Sequence, residues 1–353
     1  MAEIDVKRAG AVTSKNETAA HEARVTRLHH ITGVAASPQA NHDFYTQVLG
    51  LRLVKQTVNF DDPSSYHLYY GDRRGAPGTA LTFFPWPDLP RGAPGLGQAV
   101  LTQFSAPADS LSFWERRLSA KGVRVLARET VFAGGPLAEE RLVAQDPDGA
   151  AFALVAVPAD ADARAGGADL WTTSEIGPEV AIRGFHGVTL AVAEAGPMDP
   201  ILTQGFGYRA VAEEAASGGV DERGGRLIRY QGEGPGSVLD IHEAPGLSQG
   251  RPGAGVTHHV AFSTPDRATQ QEVRRRLTAL GHPTTRALDR GYFTAIYFRT
   301  PGGVLFEVAT EEPGFDVDEP VERLGERLML PEHLEPRRAE IAAALPPLTM
   351  APS

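Results

Sequence analysis

Two strand-like segments of this chain open on a histidine doublet, His29-His30 in LHHITG and His258-His259 in THHVAF. A third segment, GGVLFEVAT, carries Glu307 between Phe306 and Val308. Imidazole nitrogens and a carboxylate oxygen can together hold a divalent cation. A carboxylate with such apolar neighbours is costly to bury unless it is paired or bound to metal. Two histidines and one carboxylate from separate strands make the facial triad of non-haem Fe(II) oxygenases, which leaves positions open for substrate, oxygen or water. The sequence contains no cysteine. That removes disulfides, thiolate zinc sites, iron–sulfur clusters and a cysteine nucleophile. Any metal must be held by His, Asp and Glu, a set that suits Fe(II), Mn(II), Zn or Ni better than Cu(I).

Neighbouring residues of a strand point to opposite faces. Val260 and Phe262 then share with His258 the apolar face that packs on a helix, and His259 points the other way. The same alternation groups His30 with Thr32 and Val34, and sets Glu307 opposite Phe306 and Val308. The expected triad is His30, His259 and Glu307. His186, in GFHGVTL, opens a matching segment and competes with His30 for the third place. Simple pleating turns His29 and His258 away from the metal unless the strands are bulged there. A lone strand histidine is more often a satisfied core residue; recurrence of the doublet, with a buried-looking glutamate, favours metal here. The other histidines read more plainly. His21, His282 and His333 lie in polar tail or loop sequence, and His42, beside Asp43 on a helix, is expected to be exposed. His67, in YHLYY, fits either core or site. Asp240, His242 and Glu243 read as a polar strand exit.

The elements that must position these residues form a repeat. Four segments share one order: a short apolar strand, an amphipathic helix, then strands closed by a glycine turn. They open at LHHITGVA, AVLTQFSA, GFHGVTLAV and THHVAFST. Helical spacing is carried by Phe44, Val48 and Leu49, by Phe113 and Leu118, and by Val273, Leu277 and Leu280. Glycine follows each of these helices, in LGL, KGV and LGH, as a C-terminal cap prefers. DPDG and TPGG are tight-turn sequences between strands. Each unit reads β-α-β-β-β, and the fold class is α+β, with four βαβββ modules in two domains. The expected segments are an N-terminal arm (1–26), a first domain (27–160), a linker (161–180), a second domain (181–312) and a C-terminal helical extension (313–353).

With 353 residues, 42% of them hydrophobic, the chain can bury a sizeable core. The net charge of −10 and the lack of a basic run argue against nucleic acid. No apolar stretch reaches the roughly 20 residues that span a bilayer. The polar N-terminus lacks a signal-peptide core, so a cytoplasmic location is expected.

The segments LHHITG, FYTQVLGLRLVKQTVNFDD, YHLYYGD, GTALTFFPWP, RGFHGVTL, VTHHVAF, DRGYFTAIYFRTPGGVLFEVAT and LMLPEHLEPRR resemble the vicinal oxygen chelate superfamily, which includes glyoxalases, bleomycin resistance proteins and extradiol dioxygenases. The likeness is nearest to its hydroquinone-type ring-cleaving dioxygenases and covers nearly the whole chain after the arm. The resemblance implies two glyoxalase-like domains with cupped mixed sheets. It implies Fe(II), or Mn(II), held by His30, His259 and Glu307. It also implies that His29, Thr32, His258, Arg290 and Tyr297 line or support the pocket, and that the partners are a small aromatic substrate and O2. Self-association is left open. From the residues alone, Arg290 reads equally as an ion-pair partner of Asp289, and Tyr297 as a half-buried strand aromatic.

Two other functions fit the same scaffold. A glyoxalase-type lyase or isomerase would use Zn or Ni and a second carboxylate, but the corresponding strand of unit one, TALTFFPW, offers Phe83 and Phe84 and no acid. A metal-free resistance protein that binds a small molecule would have lost the ligands, which this sequence keeps.

Overall fold

The computed structural model describes residues 24–87, 89–158, 169–216 and 224–350. The arm 1–26 lies almost wholly outside the described residues, as does the first part of the linker 161–180. The four units supply their strands in the expected order. Unit one gives β1 (Leu28–Ala35), β2 (Arg52–Val58), β3 (Tyr66–Gly71) and β4 (Ala80–Pro85). Unit two gives β5 (Gln98–Pro107), β6 (Val125–Val131), β7 (Glu139–Gln145) and β8 (Ala151–Val157). Unit three gives β9 (Phe185–Val192), β10 (Arg209–Ala215), β11 (Arg226–Gln231) and β12 (Val238–Glu243). Unit four gives β13 (Thr257–Thr264), β14 (Leu288–Asp289), β15 (Phe293–Arg299) and β16 (Leu305–Pro313).

These strands form two curled eight-stranded mixed sheets, but not in chain order. One sheet runs β14-β15-β16-β13-β1-β4-β3-β2 and the other β10-β11-β12-β9-β5-β8-β7-β6. Units one and four therefore share a sheet, as do units two and three, and the segments 27–160 and 181–312 each contribute to both. The reason lies in the edges. Within unit one, β1 pairs in parallel with β4 and would leave its other edge bare. That edge is covered by β13, antiparallel, and β5 covers β9 in the same way.

The apolar faces of both sheets meet in one core that includes Ile31, Phe83, Phe104, Phe185, Phe262 and Phe306. Each such burial stabilises by about 1.5–3 kcal/mol. Helices cover this core. Val273 and Leu277 of helix Arg267–Ala279 are fully buried, and Asp266 caps its start by accepting from the Thr269 N–H at 2.8 Å. Gly122 and Gly281 follow the helices of units two and four with φ of +71° and +86°, the left-handed conformation such a cap needs. Among the described residues no helix is long and apolar enough to cross a membrane.

Three local details refine these expectations. The helix of unit three is irregular, a 3-10 turn at Gly196–Met198 that runs on into a π-type turn at Ile201–Gly205. The C-terminal extension carries the expected helix, Arg338–Ala344, after three short 3-10 turns among the described residues. It lies along the β2 edge, where the Met329 N–H donates to the Gln56 carbonyl at 2.8 Å. His42 is buried, not exposed, because the short helix Pro38–Asp43 turns Pro38, Asn41 and His42 inward together.

Candidate metal centre

The three expected ligands sit on three adjacent strands of one sheet, β1, β13 and β16. Their side chains rise from its concave face, opposite the core. His30 Nε2 lies 3.2 Å from His259 Nε2 and 3.4 Å from a Glu307 carboxylate oxygen, which is 3.0 Å from His259 Nε2. Among the described residues this is the group of three His or acidic side chains whose ligand atoms converge closely enough to hold one ion. Glu307 is fully buried, and neither of its oxygens has a hydrogen-bond partner.

The doublets lie where the β1–β13 ladder is irregular. The register shifts between Leu28 and His30, and again between Thr32 and Gly33 as the partner strand passes from His259 to Thr257. His29 and His258 are the extra residues. A bulge breaks strict alternation, so two consecutive side chains share one face. His29 Nδ1 reaches His30 Nδ1 at 2.9 Å, and His258 Nδ1 reaches His259 Nδ1 at 2.8 Å. The simple pleat, which turned His258 toward Val260, is overridden.

These contacts assign the protons. His29 Nε2 lies 3.1 Å from the carbonyl oxygen of Thr310, which can only accept, so His29 carries its proton on Nε2. Its Nδ1 then accepts from His30, whose Nε2 is left with a lone pair facing His259 and Glu307. Burial, then the neighbouring His30, lowers the pKa of His29 to about 3, so it stays neutral. Burial and His259 lower His258 to about 4. A buried carboxylate without donors, facing imidazole lone pairs, fits a divalent cation.

The remaining pocket candidates also border this cup. Thr32 Oγ1 is 2.9 Å from His259 Nε2. Tyr297 stands opposite Glu307 across β15–β16, with its ring 6.1 Å from that of His259. Arg290 donates to the Tyr297 hydroxyl at 3.1 Å and pairs with the exposed Asp61 at 3.4 Å, rather than with Asp289. Burial and the Glu307 charge raise the pKa of Tyr297 well above that of a free phenol. The ring of Phe293 lies 5.0 Å from those of both His29 and His30. Two residues carried no clear signal in the sequence. Thr82, not Phe83 or Phe84, is the β4 side chain beside the ligands, bonded to Thr32 at 2.8 Å. His67 joins the same network at 2.9 Å from Thr82.

Known proteins share this organisation. The model of the Glyoxalase/Bleomycin resistance protein/Dioxygenase superfamily matches residues 27–154 and 185–308. The chain belongs to this superfamily. Relatives extend the likeness along its length. MhqO of Bacillus subtilis, named as a candidate ring-cleaving dioxygenase, is 40% identical over 91% of this chain and 96% of its own. The chlorohydroquinone/hydroquinone 1,2-dioxygenase of Sphingobium indicum is 33% identical over 90% of this chain and 95% of its own. A crystal structure of a candidate dioxygenase from Bacillus subtilis superposes with a TM-score of 0.83 at 38% identity, covering 92% of this chain and 98% of that one.

This member of the superfamily carries its metal-type cluster in the sheet of units one and four. His186, the rival ligand, is on β9 of the other sheet. Its Nε2 faces Glu139 at 3.0 Å, and Glu139 also pairs with Arg229 at 2.6 Å. Arg229 in turn grips the fully buried Asp240 through two nitrogens, at 2.8 and 2.9 Å. An arginine thus fills the centre of the second cup, and His186 has no part in the His30–His259–Glu307 cluster. Asp240 is the anchor of this ion pair and not merely a polar strand exit.

Proposed function

We propose that this chain is a metal-dependent ring-cleaving dioxygenase that adds O2 to a hydroquinone- or catechol-type aromatic, of the extradiol type, with Fe(II), or alternatively Mn(II), held by His30, His259 and Glu307. The observation that carries this reading is the buried Glu307 carboxylate, without a hydrogen bond, facing two imidazole nitrogens. Bound there, the ion would supply Lewis acidity toward a phenolic oxygen and an electron path between substrate and dioxygen. The names of relatives that cover nine-tenths of the chain support the reading: MhqO is named for ring cleavage, and the Sphingobium enzyme for hydroquinones.

The protein's own groups support that chemistry. His29 fixes the tautomer of His30, and His258 holds His259 through its Nδ1, so the Nε2 atoms of both ligands face inward without a search over ring orientations. The buried Phe293 ring packs against both His29 and His30 and gives the ligands an apolar neighbour. The Arg290 guanidinium, held against Tyr297, places a fixed positive charge and a phenolic hydroxyl beside the ligands. The guanidinium can stabilise an oxyanion, and the hydroxyl can deliver a proton as the ring opens. Thr32 is the hydroxyl within reach of a substrate oxygen seated by His259. A glyoxalase-type lyase would want a further carboxylate, and the neutral Thr82 stands beside the ligands instead.

The test is oxygen uptake by anaerobically iron-loaded protein over a panel of substituted hydroquinones and catechols. The reading requires uptake matched to loss of substrate. Loaded protein that consumes no oxygen with any member of the panel would overturn it.

A further inference from the structure

The hydrogen-bond network beside the ligands does not end at Thr32. From Thr32 Oγ1 it runs to Thr82 Oγ1 at 2.8 Å, from there to His67 Nε2 at 2.9 Å, and from His67 Nδ1 to the Tyr69 hydroxyl at 2.8 Å. The four residues come from β1, β4 and β3, three neighbouring strands, and the order follows from the register. Thr32 pairs with Thr82, and Thr82 with Tyr69. All face the concave side. Every link can both give and receive a hydrogen bond, and each gap is within hydrogen-bond range.

His67 is well placed to end such a chain. Its ring is sandwiched between Tyr69 and Phe84, with centroids 4.0 and 4.2 Å away, so its orientation is fixed. It touches none of the three ligands, and part of its surface remains exposed, which gives a proton a way out. Burial, then the neighbouring imidazoles, keeps its pKa well below the usual value, so it starts neutral. The Tyr69 hydroxyl can accept as well as donate, so the tautomer with a free Nε2 is available.

We propose that Thr32, Thr82 and His67 form a proton relay that takes the first proton from the phenolic substrate. The substrate O–H bond breaks and its proton passes to Thr32 Oγ1. The Thr32 proton moves to Thr82 Oγ1, and the Thr82 proton to His67 Nε2, leaving an imidazolium whose Nδ1–H is held by Tyr69. No electrons are exchanged. His67 acts through the two threonines and is a positioning and proton-holding residue rather than one that touches substrate. The inference rests on the proposed function for the identity of the phenol, but it concerns a step that precedes oxygen.

The experiment uses the full chain loaded with Mn(II) without oxygen and mixed rapidly with nitrohydroquinone, whose phenolate absorbs at longer wavelength than its phenol. The rate of phenolate appearance is read for wild type, His67→Phe, His67→Gln and Thr82→Val, with Mn(II) content measured alongside. Phe keeps the ring stack, and Gln keeps a hydrogen bond to Thr82 but cannot carry the proton. The expected result is slowing of at least about tenfold in both His67 variants with metal retained. Combining His67→Phe with Thr82→Val should slow it little further, because serial links are not additive. A His67→Gln rate equal to wild type would make His67 a mere support for Thr82 and overturn the relay. So would variant rates within about twofold of wild type, or a wild type that never ionises the probe. Failure of oxygen uptake with this step intact would instead count against the proposed function alone.

Discussion

The Nδ1 atoms of His29 and His30 stand 2.9 Å apart, and the far nitrogen of His29 is tied to the Thr310 carbonyl. One backbone oxygen therefore dictates which nitrogen of His30 bears a lone pair. Replacing His29 with Phe would remove that acceptor while keeping a ring in the space. Metal affinity should fall by about 10- to 100-fold, as for other residues that orient a metal ligand. A competition titration against a chelator would measure it; unchanged affinity would mean that His29 does not set the tautomer.

Glu307→Gln should abolish metal retention, since the neutral amide removes the anionic ligand but keeps the volume. The metal-free variant should be no less stable than the metal-free wild type, because it no longer buries a charge without donors. Thermal unfolding of both apo proteins checks the second point, and metal analysis the first.

The sequence exposed the ligands but not their arrangement. The doublets at His29-His30 and His258-His259, with the FE glutamate, were visible as residue types, and the βαβββ repeat placed them on equivalent strands. What pleat alternation could not supply was the pair of bulges, because a bulge is a property of two strands in register and neither strand shows it alone. Sheet order was hidden for the same reason. Nothing in the unit sequences says which edge of β1 is covered, so the joining of unit four to unit one, and the exclusion of His186, had to come from tertiary pairing. Thr82 was equally hidden, and His67 could be read only as core or site. Their roles depend on a neighbour across the sheet.

Lys55 is fully buried, with Nζ 2.6 Å from both Asp318 and Glu319 of the C-terminal extension. Lys55→Met should destabilise the protein by about 3–5 kcal/mol, because Glu319 would be left buried without its partner. Adding Asp318→Asn and Glu319→Gln should recover part of that loss. Urea unfolding of the single and triple variants would show it, and a silent Lys55→Met would mean that the extension is not anchored there.

Glu139 in the second cup is pushed up by burial, but His186 and Arg229 outweigh this and bring its pKa to about 2. Its folded value is depressed, so its stabilising effect is present above the unfolded value of about 4.5 and is lost as pH falls toward 2. Relative to wild type, Glu139→Gln should lose stability near neutrality, by at most about 3 kcal/mol. The gap should shrink as the pH is taken below about 4.5. Melting curves of both proteins from pH 7 downward test the sign, and a gap that widened in acid would reverse it.

His30, not His186, completes the proposed triad. The deciding measurement is the iron content of wild type, His30→Ala and His186→Ala after anaerobic loading and desalting. It should be about one equivalent in wild type and His186→Ala, and below about a tenth in His30→Ala. Iron kept by His30→Ala and lost from His186→Ala would contradict the central claim.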